Sequence, residues 1–436
     1  MIGIVGAGIS GLALAVELRA RGIPFRILEA EERPGGVVRS LRVAGHSLEL
    51  GPQRVRAVPE LLPHLERVPG WDRDATGRSR RSRDRDGGEG DGVWIARHER
   101  LHPIPRGLQE GWASALLSPA GKLRLALEPF VPGDACDTWR SSADYLRRRA
   151  GDEAYRALLG PLFGGLYGSD PEEMDARRAL LPALREMGAD RSLVVGMLTR
   201  ARSGGGLLAA PPVIPPGGME ALPRAMAAAV ADALTLGVAV ERLERGPASG
   251  PRWRLVTSRG GLEVDTVVLT TPPDRAAALL APVAPDAAAL LGGLRMNQIV
   301  LVHLDLDPLP PGLGFQVAYD ERSALRGITF AGNLVGGAST AVAFLGGQPG
   351  AGDDGELAEL AAAEATRWTG SDAVPIHLSR TRMPAWDRTF RALDALRIPP
   401  GVHLHANYVG RPGIVGRVRE ASRIADLLLR DPAGSA

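Results

Sequence analysis

Cysteine and lysine each occur only once in this chain of 436 residues. The single cysteine, Cys136, excludes an internal disulfide and a metal site built from several thiolates, and a small buried residue is its expected role. Because the single lysine is Lys122, arginine carries nearly all the positive charge, and the formal net charge is only +2 at pH 7. Aromatic residues make up just 4%. A chain with neither a strong basic field nor many aromatic rings is not expected to bind nucleic acid.

The sequence also lacks any run of about 18 apolar residues, so we expect no membrane-spanning helix. Its hydrophobic content of 44% is ordinary for a globular protein. The first predicted strand begins at residue 2, which leaves no room for a signal peptide. We therefore expect a cytoplasmic enzyme. Peripheral attachment to the inner face of a membrane, through an apolar helical face, stays open.

The first 40 residues carry the pattern of a dinucleotide-binding βαβ unit. A predicted buried strand at 2–5 runs into Gly-x-Gly-x-x-Gly at residues 6–11, which opens a predicted helix. Such glycines permit a tight turn and let the backbone approach a diphosphate, which the N–H groups of a helix N-terminus can bind. Glu29 follows the next predicted strand, 25–28, at the position where a carboxylate accepts hydrogen bonds from ribose hydroxyls. The spacing therefore predicts a nucleotide site.

A second set of glycines lies shortly after Glu29. The pattern Glu29-x-x-x-Arg33-x-Gly35-Gly36, with Ser40 beyond it, resembles the extended fingerprint of the flavin-dependent amine oxidase superfamily. This resemblance implies that the dinucleotide is FAD, bound non-covalently, and that Arg33 supplies positive charge near its phosphates. The alternative is a surface turn, because Pro-Gly-Gly is by itself a strong loop signal.

Further segments narrow the resemblance to the oxygen-dependent protoporphyrinogen and coproporphyrinogen III oxidases. The segments that are similar to this family lie at 49–52, 101–105, 121–124, 161–170 and 216–222. Segment 161–170, Pro-Leu-Phe-Gly-Gly-Leu-Tyr-Gly-Ser-Asp, is the most diagnostic of them, since other amine oxidases lack it. Two segments near the expected flavin site depart from the family pattern, at 384–388 and 413–417.

The resemblance implies an α/β fold. A Rossmann-like FAD-binding domain, built from discontinuous segments, would carry an inserted α+β substrate domain and a helical subdomain. The implied activity is oxidation of protoporphyrinogen IX or coproporphyrinogen III to the porphyrin in haem biosynthesis. Six electrons would leave as three hydrides to flavin N5, and oxygen would reoxidise the flavin to give hydrogen peroxide. Because the flavin carries this chemistry, no catalytic side chain is expected. A ferrochelatase is a further expected partner.

The order of the predicted elements sets the expected domain boundaries. The FAD-binding domain takes segments 1–56, 209–290 and 399–436, and the substrate domain takes 57–111 and 291–398. Residues 112–208 form the helical subdomain, which is the part that could associate with a membrane. Within the substrate domain, residues 71–91 alternate in charge and contain almost no apolar residue, which predicts a solvated loop.

The resemblance also implies which residues surround the ligands. FAD would contact Gly6, Ala7, Gly8, Ile9, Ser10, Gly11, Glu29, Ala30, Arg33, Gly35, Gly36, Gly51, Pro52, Val238, Thr271, Trp386, Ile414 and Val415. The substrate would meet Arg54, Arg56, Arg97, Gly165 and Tyr167, with the arginines binding propionates. Surface or packing roles stay open for the five substrate residues. For Trp386 the alternative to stacking near the flavin is a place in the core, and for the glycines of 161–170 it is a helix-ending turn.

No metal site is expected. His403 and His405 lie on one face of a predicted strand, but no third ligand is near them in the sequence.

The departures at 384–388 and 413–417 leave two other functions open. One is a different oxidoreductase of the same superfamily, acting on an amine or a carotenoid. The other is a non-catalytic flavoprotein that binds porphyrin or FAD.

Overall fold

The computed structural model describes residues 1–72, 92–105, 107–131, 139–202, 210–247, 250–336, 338–346 and 352–430. Cys136 and the predicted loop 71–91, apart from Trp71 and Asp72, lie outside the described residues. The strands are β1 Ile2–Val5, β2 Phe25–Leu28, β3 Ser40–Val43, β4 His46–Glu49, β5 Val55–Arg56, β6 Val93–Arg97, β7 Arg100–Pro103, β8 Pro212–Val213, β9 Leu234–Thr235, β10 Val240–Arg245, β11 Trp253–Thr257, β12 Gly260–Val264, β13 Thr266–Leu269, β14 Met296–Asp307, β15 Gly314–Val317, β16 Leu325–Thr329, β17 Thr340–Leu345, β18 Asp372–Pro384 and β19 Val402–Leu404.

The helices are α1 Ile9–Ala20, α2 Leu62–Leu65, α3 Leu108–Ala113, α4 Pro119–Ala126, α5 Ser142–Ala150, α6 Asp152–Ala154, α7 Gly160–Tyr167, α8 Leu181–Glu186, α9 Leu193–Arg202, α10 Ala221–Ala228, α11 Pro273–Leu280, α12 Pro285–Gly292, α13 Gly332–Val335, α14 Asp354–Thr369 and α15 Gly413–Arg430. Short 3₁₀ helices lie at Glu128–Phe130, Ala231–Ala233 and Arg388–Asp394. Two π-helical turns, Tyr155–Leu159 and Ala176–Leu180, precede α7 and α8.

A parallel sheet in the order β19-β13-β1-β2-β9 forms the centre of the nucleotide-binding part. Strands β1 and β13 are buried at every position, which explains why their sequences, IGIV and TVVL, do not alternate. On one face α1 and α15 pack against Ile4 and Val268. On the other face Val5 and Leu269 belong to the same core as Leu255 of the antiparallel sheet β10-β11-β12. The predicted α/β fold with a parallel sheet is confirmed.

A second, seven-stranded sheet has the order β18-β14-β17-β16-β15-β6-β7. Its neighbouring strands are antiparallel except for β15 and β6, which are parallel. Helix α14 packs against this sheet through Ala361 and Trp368. Strands β6 and β7 form a hairpin, and His98 and Glu99 join them. Both turn residues have positive φ angles, 52° and 56°, as a two-residue hairpin turn that follows the strand twist requires.

Helices α3 to α9 form a block between residues 108 and 202, as the sequence period predicts. A buried ion pair holds part of this block together. Arg149 donates to Glu128 at 2.5 Å, and the same carboxylate accepts hydrogen bonds from Ser192 and from the Leu193 backbone. Because these extra donors satisfy the carboxylate, the pair can remain buried. No described helix is long and apolar enough to cross a membrane. The domain boundaries given above stay a prediction.

Candidate functional site

A cleft of about 3230 Å³ runs from the carboxyl ends of the parallel strands to the seven-stranded sheet and the helical block. Residues that follow β1, β2, β13 and β19 line one end. Residues of β14, β15, β18 and α7 line the other end, and the walls are largely apolar. Ligands of open α/β sheets bind outside the carboxyl ends of the strands. The first end of the cleft is therefore the expected nucleotide site.

Three glycines lie where β1 turns into α1: Gly6 and Gly8 in the loop and Gly11 in the first turn of the helix. The structure gives a different reason for each of them. Gly6 has a φ of +104°, which other residues rarely adopt. At Gly11 a Cβ would lie 2.0 Å from the Gly6 carbonyl oxygen, so α1 can pack there only without a side chain. Gly8 has an ordinary φ of −68°, and a Cβ at this position would meet nothing within 4 Å. Since the protein itself does not require glycine at position 8, close approach of a ligand is the remaining reason for it.

The N-terminus of α1 borders the open space beside Gly8. Gly8 is the N-cap residue, no side chain caps the helix, and its first turn contains no acidic residue. Such a helix end attracts an anion, because its first N–H groups and the helix dipole both favour negative charge. The Thr270 hydroxyl lies 2.9 Å from the carbonyl oxygens of both Val5 and Gly6 and donates to them, which holds the loop in this shape.

Glu29 lines the cleft at the end of β2. Its two carboxylate oxygens accept backbone hydrogen bonds from Ala7 at 2.6 Å and from Glu31 at 2.9 Å. A carboxylate can accept about four hydrogen bonds, so lone pairs remain for two ribose hydroxyls. Glu29 therefore joins the glycine loop to the end of β2 and still has capacity for a ligand.

Arg33 lines the cleft, and its guanidinium also binds protein groups. It donates to the carbonyl oxygen of Gly36 at 2.9 Å and lies 3.2 Å from the carboxylate of Glu31. Gly35 and Gly36 line the same wall. Arg33 thus stabilises the glycine turn, and its proximity to a phosphate stays a prediction.

A buried polar cluster, formed by Ser40, Glu49 and Glu220, joins two distant chain segments and was not predicted from the sequence. The Ser40 hydroxyl donates to Glu49 at 2.6 Å, and the Ser40 backbone N–H donates to Glu220 at 3.0 Å. Burial raises the pKa of Glu49 to about 7, and the nearby Glu220 charge adds a smaller rise. Hydrogen bonds from Ser40 and Met219 act in the opposite direction. Ser40, segment 49–52 and segment 216–222 each match the family pattern, but nothing in the sequence indicates that they are in contact.

Several other residues expected to contact the cofactor also line the cleft: Ile9, Ser10, Ala30, Gly51, Pro52, Thr271 and Ile414. The buried Thr271 hydroxyl has no hydrogen-bond partner among the described residues, as is typical of a group that binds a ligand. Four other residues that were expected to contact FAD do not line the cleft: Ala7, Gly11, Val238 and Val415.

Trp386 and Tyr167 lie in the hydrophobic core and are not part of the described cleft lining. Trp386 stacks on Phe390 with ring centroids 5.2 Å apart, and Tyr167 meets it edge-on at 6.1 Å. The Tyr167 hydroxyl donates to the carbonyl oxygen of Ala179 at 2.8 Å. Both residues therefore occupy positions in the core, which was the alternative to a place beside the flavin or the substrate.

The three arginines expected to bind substrate fall into two groups. Arg54 and Arg56, on and beside β5, line the cleft. Burial lowers the pKa of Arg54 to about 10, and the like charge of Arg56 lowers it further. Arg97, in contrast, is buried outside the described lining, where it donates to Asp320 at 2.6 Å and to the carbonyl oxygen of Leu116. Arg97 therefore fastens the β6–β7 hairpin to neighbouring segments.

The glycines of α7 allow close packing of the helix against protein, which differs from the expected approach of a planar ligand. A Cβ at Gly165 would lie 2.6 Å from the Gln316 side chain, although Gly165 also lines the cleft. A Cβ at Gly164 would lie 2.1 Å from the Tyr319 hydroxyl. Gly168 is the C-cap of the helix and has a left-handed conformation, with a φ of 59°. It therefore forms a helix-ending turn, which was the alternative role for this glycine.

The two histidines of the 403–405 segment do not form a metal site with other described residues. Among the described residues no group of three or more histidine, cysteine or acidic side chains could hold a metal ion. His403 lies in β19, the edge strand of the parallel sheet, and His405 is fully buried just after it. Burial lowers the pKa of His405 to about 3, and the charge of Arg417 contributes to this lowering.

Together these groups fit FAD. The open space beside Gly8 and the α1 N-terminus suit its diphosphate, Glu29 suits the adenosine ribose, and Thr271 offers a buried hydroxyl to the other half. Bound FAD would supply a two-electron acceptor. The chain's own residues would bind and orient the cofactor, and the largely apolar walls would keep water away from it.

Comparisons with known proteins agree with this geometry. The family model of flavin containing amine oxidoreductase matches residues 9–401. Coproporphyrinogen III oxidases of Bacillus subtilis and Staphylococcus aureus are 27% and 30% identical over 221 and 211 residues. These matches cover 47% and 45% of this chain and 44% and 42% of the relatives, so they span less than half the length of those proteins. The chloroplastic protoporphyrinogen oxidase of Nicotiana tabacum is 25% identical over 307 residues, covering 66% of this chain and 54% of that protein.

Solved structures share the fold over nearly the whole chain. A protein of Exiguobacterium sp. 255-15, provisionally named protoporphyrinogen oxidase, has a TM-score of 0.67 and 22% identity, covering 99% of this chain and 98% of its own. Putrescine oxidase bound to putrescine has a TM-score of 0.69 and 17% identity, covering 98% of both chains. At such identities the likeness shows the fold alone. The resemblance predicted from the sequence is confirmed, and the chain belongs to the family of flavin-containing amine oxidoreductases, with FAD as its cofactor.

Proposed function

We propose that this protein oxidises a porphyrinogen, protoporphyrinogen IX or coproporphyrinogen III, to the porphyrin in haem biosynthesis. The observation that carries the proposal is the continuation of the nucleotide site into a large, mainly apolar space that also contains Arg54 and Arg56. The similar coproporphyrinogen III and protoporphyrinogen oxidases suggest the substrate class. A cytoplasmic location, a ferrochelatase partner and peripheral contact with a membrane stay predictions.

The size of the cleft supports a large substrate. Its volume of about 3230 Å³ exceeds the roughly 300–1,000 Å³ that is common for a small-molecule site. One cleft therefore has room for a dinucleotide and a macrocycle together. Its apolar walls suit the ring system of a porphyrinogen, which gains little from contact with water.

The charge at one wall supports a substrate that carries carboxylates. Arg54 is half-buried, and no described carboxylate forms an ion pair with it. Burying a cation without a counter-charge is unfavourable, and the neighbouring Arg56 adds repulsion. A propionate bound here would offset both effects through a charge-assisted hydrogen bond. FAD held at the nucleotide site would supply the two-electron acceptor; for each pair of electrons, one hydride and one proton would leave the substrate and one oxygen molecule would become one hydrogen peroxide.

The direct test adds each porphyrinogen to the FAD-loaded protein in air-saturated buffer. Porphyrin fluorescence, oxygen uptake and peroxide are followed together. We expect about three oxygen molecules consumed and three peroxides formed per porphyrin, since six electrons leave in pairs. The ratio of the initial rates with the two porphyrinogens then identifies the preferred substrate. Oxidation of an amine such as putrescine, without oxidation of either porphyrinogen, would contradict the proposal, and so would a stable flavoprotein that turns over neither class.

A matched pair of variants tests the role of Arg54. Arg54→Met should raise KM for the porphyrinogen about 10- to 100-fold, because a charge-assisted hydrogen bond contributes about 1.5–3 kcal/mol. Arg42→Met removes an exposed arginine on β3 outside the cleft and should leave KM unchanged. The FAD spectrum should be the same in both. An unchanged KM in Arg54→Met would show that Arg54 does not bind the substrate, and the proposed reaction itself would not be contradicted.

A further inference from the structure

Arg417 is a buried cation that neither the sequence motifs nor the proposed reaction uses. It lies in the second turn of α15 and is among the residues that line the cleft, together with Gly413 and Ile414. Only 1% of the residue is exposed. Arginine is rarely buried to this extent unless its charge is paired or has a function.

The partners of Arg417 are backbone carbonyl groups. Nε and Nη2 donate to the carbonyl oxygen of Arg411 at 3.0 and 2.6 Å, and Nη1 donates to that of Ala406 at 2.7 Å. The acidic residue one turn further along α15, Glu420, pairs with Arg423. No described carboxylate forms an ion pair with Arg417. The carbonyl groups satisfy its hydrogen bonds, and the nearby carboxylate of Glu420, which is paired with Arg423, offsets only part of its charge.

The order of the parallel sheet places Arg417 at the redox half of the dinucleotide. The adenosine half of the dinucleotide would lie at the end of β2, where Glu29 could accept hydrogen bonds from its ribose hydroxyls. Strands β13 and β19 lie on the opposite side of β1 from β2. Thr271 and Ala406, which follow these two strands, line the cleft there. Because a dinucleotide crosses this type of sheet at β1, its other half lies over them, and Arg417 is bonded to Ala406.

We infer that Arg417 supplies a permanent positive charge beside the flavin and stabilises its reduced form. A hydride brings two electrons and one proton, so its uptake converts the neutral oxidised flavin into a reduced form with one negative charge. A fixed positive charge in a buried, water-poor site favours that form over the oxidised one. Arg417 therefore raises the flavin reduction potential and makes hydride uptake from a substrate more favourable. The inference depends on FAD alone and does not require a porphyrinogen.

The alternative role for Arg417 is positioning. Its bonds to Ala406 and Arg411 span the segment between β19 and α15, so the guanidinium could serve only to hold this segment in place. The two roles make different demands on the side chain. Positioning needs the planar guanidinium with its several N–H groups, whereas stabilisation of a reduced flavin needs only the charge.

The test measures the two-electron reduction potential of the FAD-loaded protein by equilibration with reference dyes. Four proteins are compared: the wild type, Arg417→Met, Arg417→Lys and the control Arg430→Met, which removes an exposed charge at the far end of the same helix. We expect a more negative potential in Arg417→Met and wild-type potentials in Arg417→Lys and Arg430→Met. Sulfite, which adds to flavin N5 and leaves a negative charge on the ring, provides a second readout. Its dissociation constant should rise about tenfold or more in Arg417→Met.

Each outcome decides between the two roles. A wild-type potential in Arg417→Met, or an equal shift in the Met and Lys variants, would overturn the inference. If Arg417→Met does not retain FAD, the Lys variant decides: a wild-type potential there supports the charge, and a shifted potential contradicts it. Loss of FAD from both variants would show a positioning role and overturn the inference. Since no porphyrinogen enters these measurements, failure here leaves the proposed reaction untouched.

Discussion

Gly8 and Gly11 lie three residues apart at the start of α1, yet an added methyl group would meet very different surroundings. A Cβ at Gly8 has no protein atom within 4 Å and needs no unusual backbone angle. A Cβ at Gly11 would collide with the backbone of Gly6. We therefore predict that Gly8→Ala folds normally but binds FAD about 10- to 100-fold more weakly, because overpacking costs about 1–3 kcal/mol.

Gly11→Ala is the matched comparison, and here the stability of the FAD-free protein should fall. Urea unfolding of both apo-proteins, together with FAD titration followed by flavin fluorescence, separates the two effects. Wild-type FAD affinity in Gly8→Ala would show that the diphosphate lies elsewhere.

Glu49 should make the stability of the protein depend on pH. Its pKa is about 7 in the folded protein, against 4.5 for an ordinary glutamate. Between these values the folded state binds the proton and the unfolded state does not, so stability falls as pH rises from 4.5 to 7 and stays lower above that. The shift of about 2.5 pH units corresponds to about 3 kcal/mol at most, at 1.36 kcal/mol per unit.

The measurement is the difference in unfolding free energy between wild type and Glu49→Gln at pH 5 and pH 8. The wild type should lose stability relative to the variant at the higher pH. Glu359→Gln, which changes an exposed carboxylate on α14, should show no such change. A difference that is constant with pH would mean that Glu49 titrates as an ordinary glutamate.

At the level of elements, α7 owes its position against the seven-stranded sheet to glycines. Gly164 faces the Tyr319 hydroxyl, which a Cβ would approach to 2.1 Å, and a tyrosine ring cannot move aside easily. Gly165 faces the flexible end of the Gln316 side chain, which can. We predict that Gly164→Ala destabilises the protein by about 1–3 kcal/mol and that Gly165→Ala has a smaller effect.

Tyr319→Phe provides the control for this contact, because it removes the hydroxyl that the new methyl group would meet. Part of the Gly164→Ala loss should disappear in the Tyr319→Phe background. Denaturant unfolding of the single and double variants gives the coupling energy. Equal losses in both backgrounds would place the strain at another contact of α7.

The sequence predicted elements best where the pattern itself determines local geometry. The glycine turn at 6–11 and the position of Glu29 follow from strand length, glycine spacing and the start of the helix. Other features depend on contacts between residues far apart in the chain. Ser40 meets Glu220 across 180 positions, and Trp386 lies in the core because Tyr167 and Phe390 surround it. No sequence pattern near Arg417 indicates that its side chain will be buried and will donate hydrogen bonds to carbonyl groups six and eleven residues away.

At the level of the whole molecule, the cofactor site is assembled from remote parts of the chain. The wall of the cleft takes Gly8 and Glu29 from the start, Thr271 from the middle and Ile414 from the end. FAD would contact all of these segments at once, and it binds only when they are correctly placed. Cofactor binding should therefore be linked to the stability of the entire fold.

We predict that FAD raises the unfolding free energy by about 2.7 kcal/mol at a free concentration 100 times its dissociation constant, and by about 1.4 kcal/mol for each further tenfold increase. The unfolding temperature, followed by circular dichroism over a series of FAD concentrations, should rise accordingly. If Glu29 and the α1 N-terminus bind the ADP half of the cofactor as we expect, ADP should also stabilise the protein, and FMN should stabilise it less. In Gly8→Ala the response should shift to higher FAD concentrations. An unfolding temperature that does not change with FAD would show that these segments do not form one site.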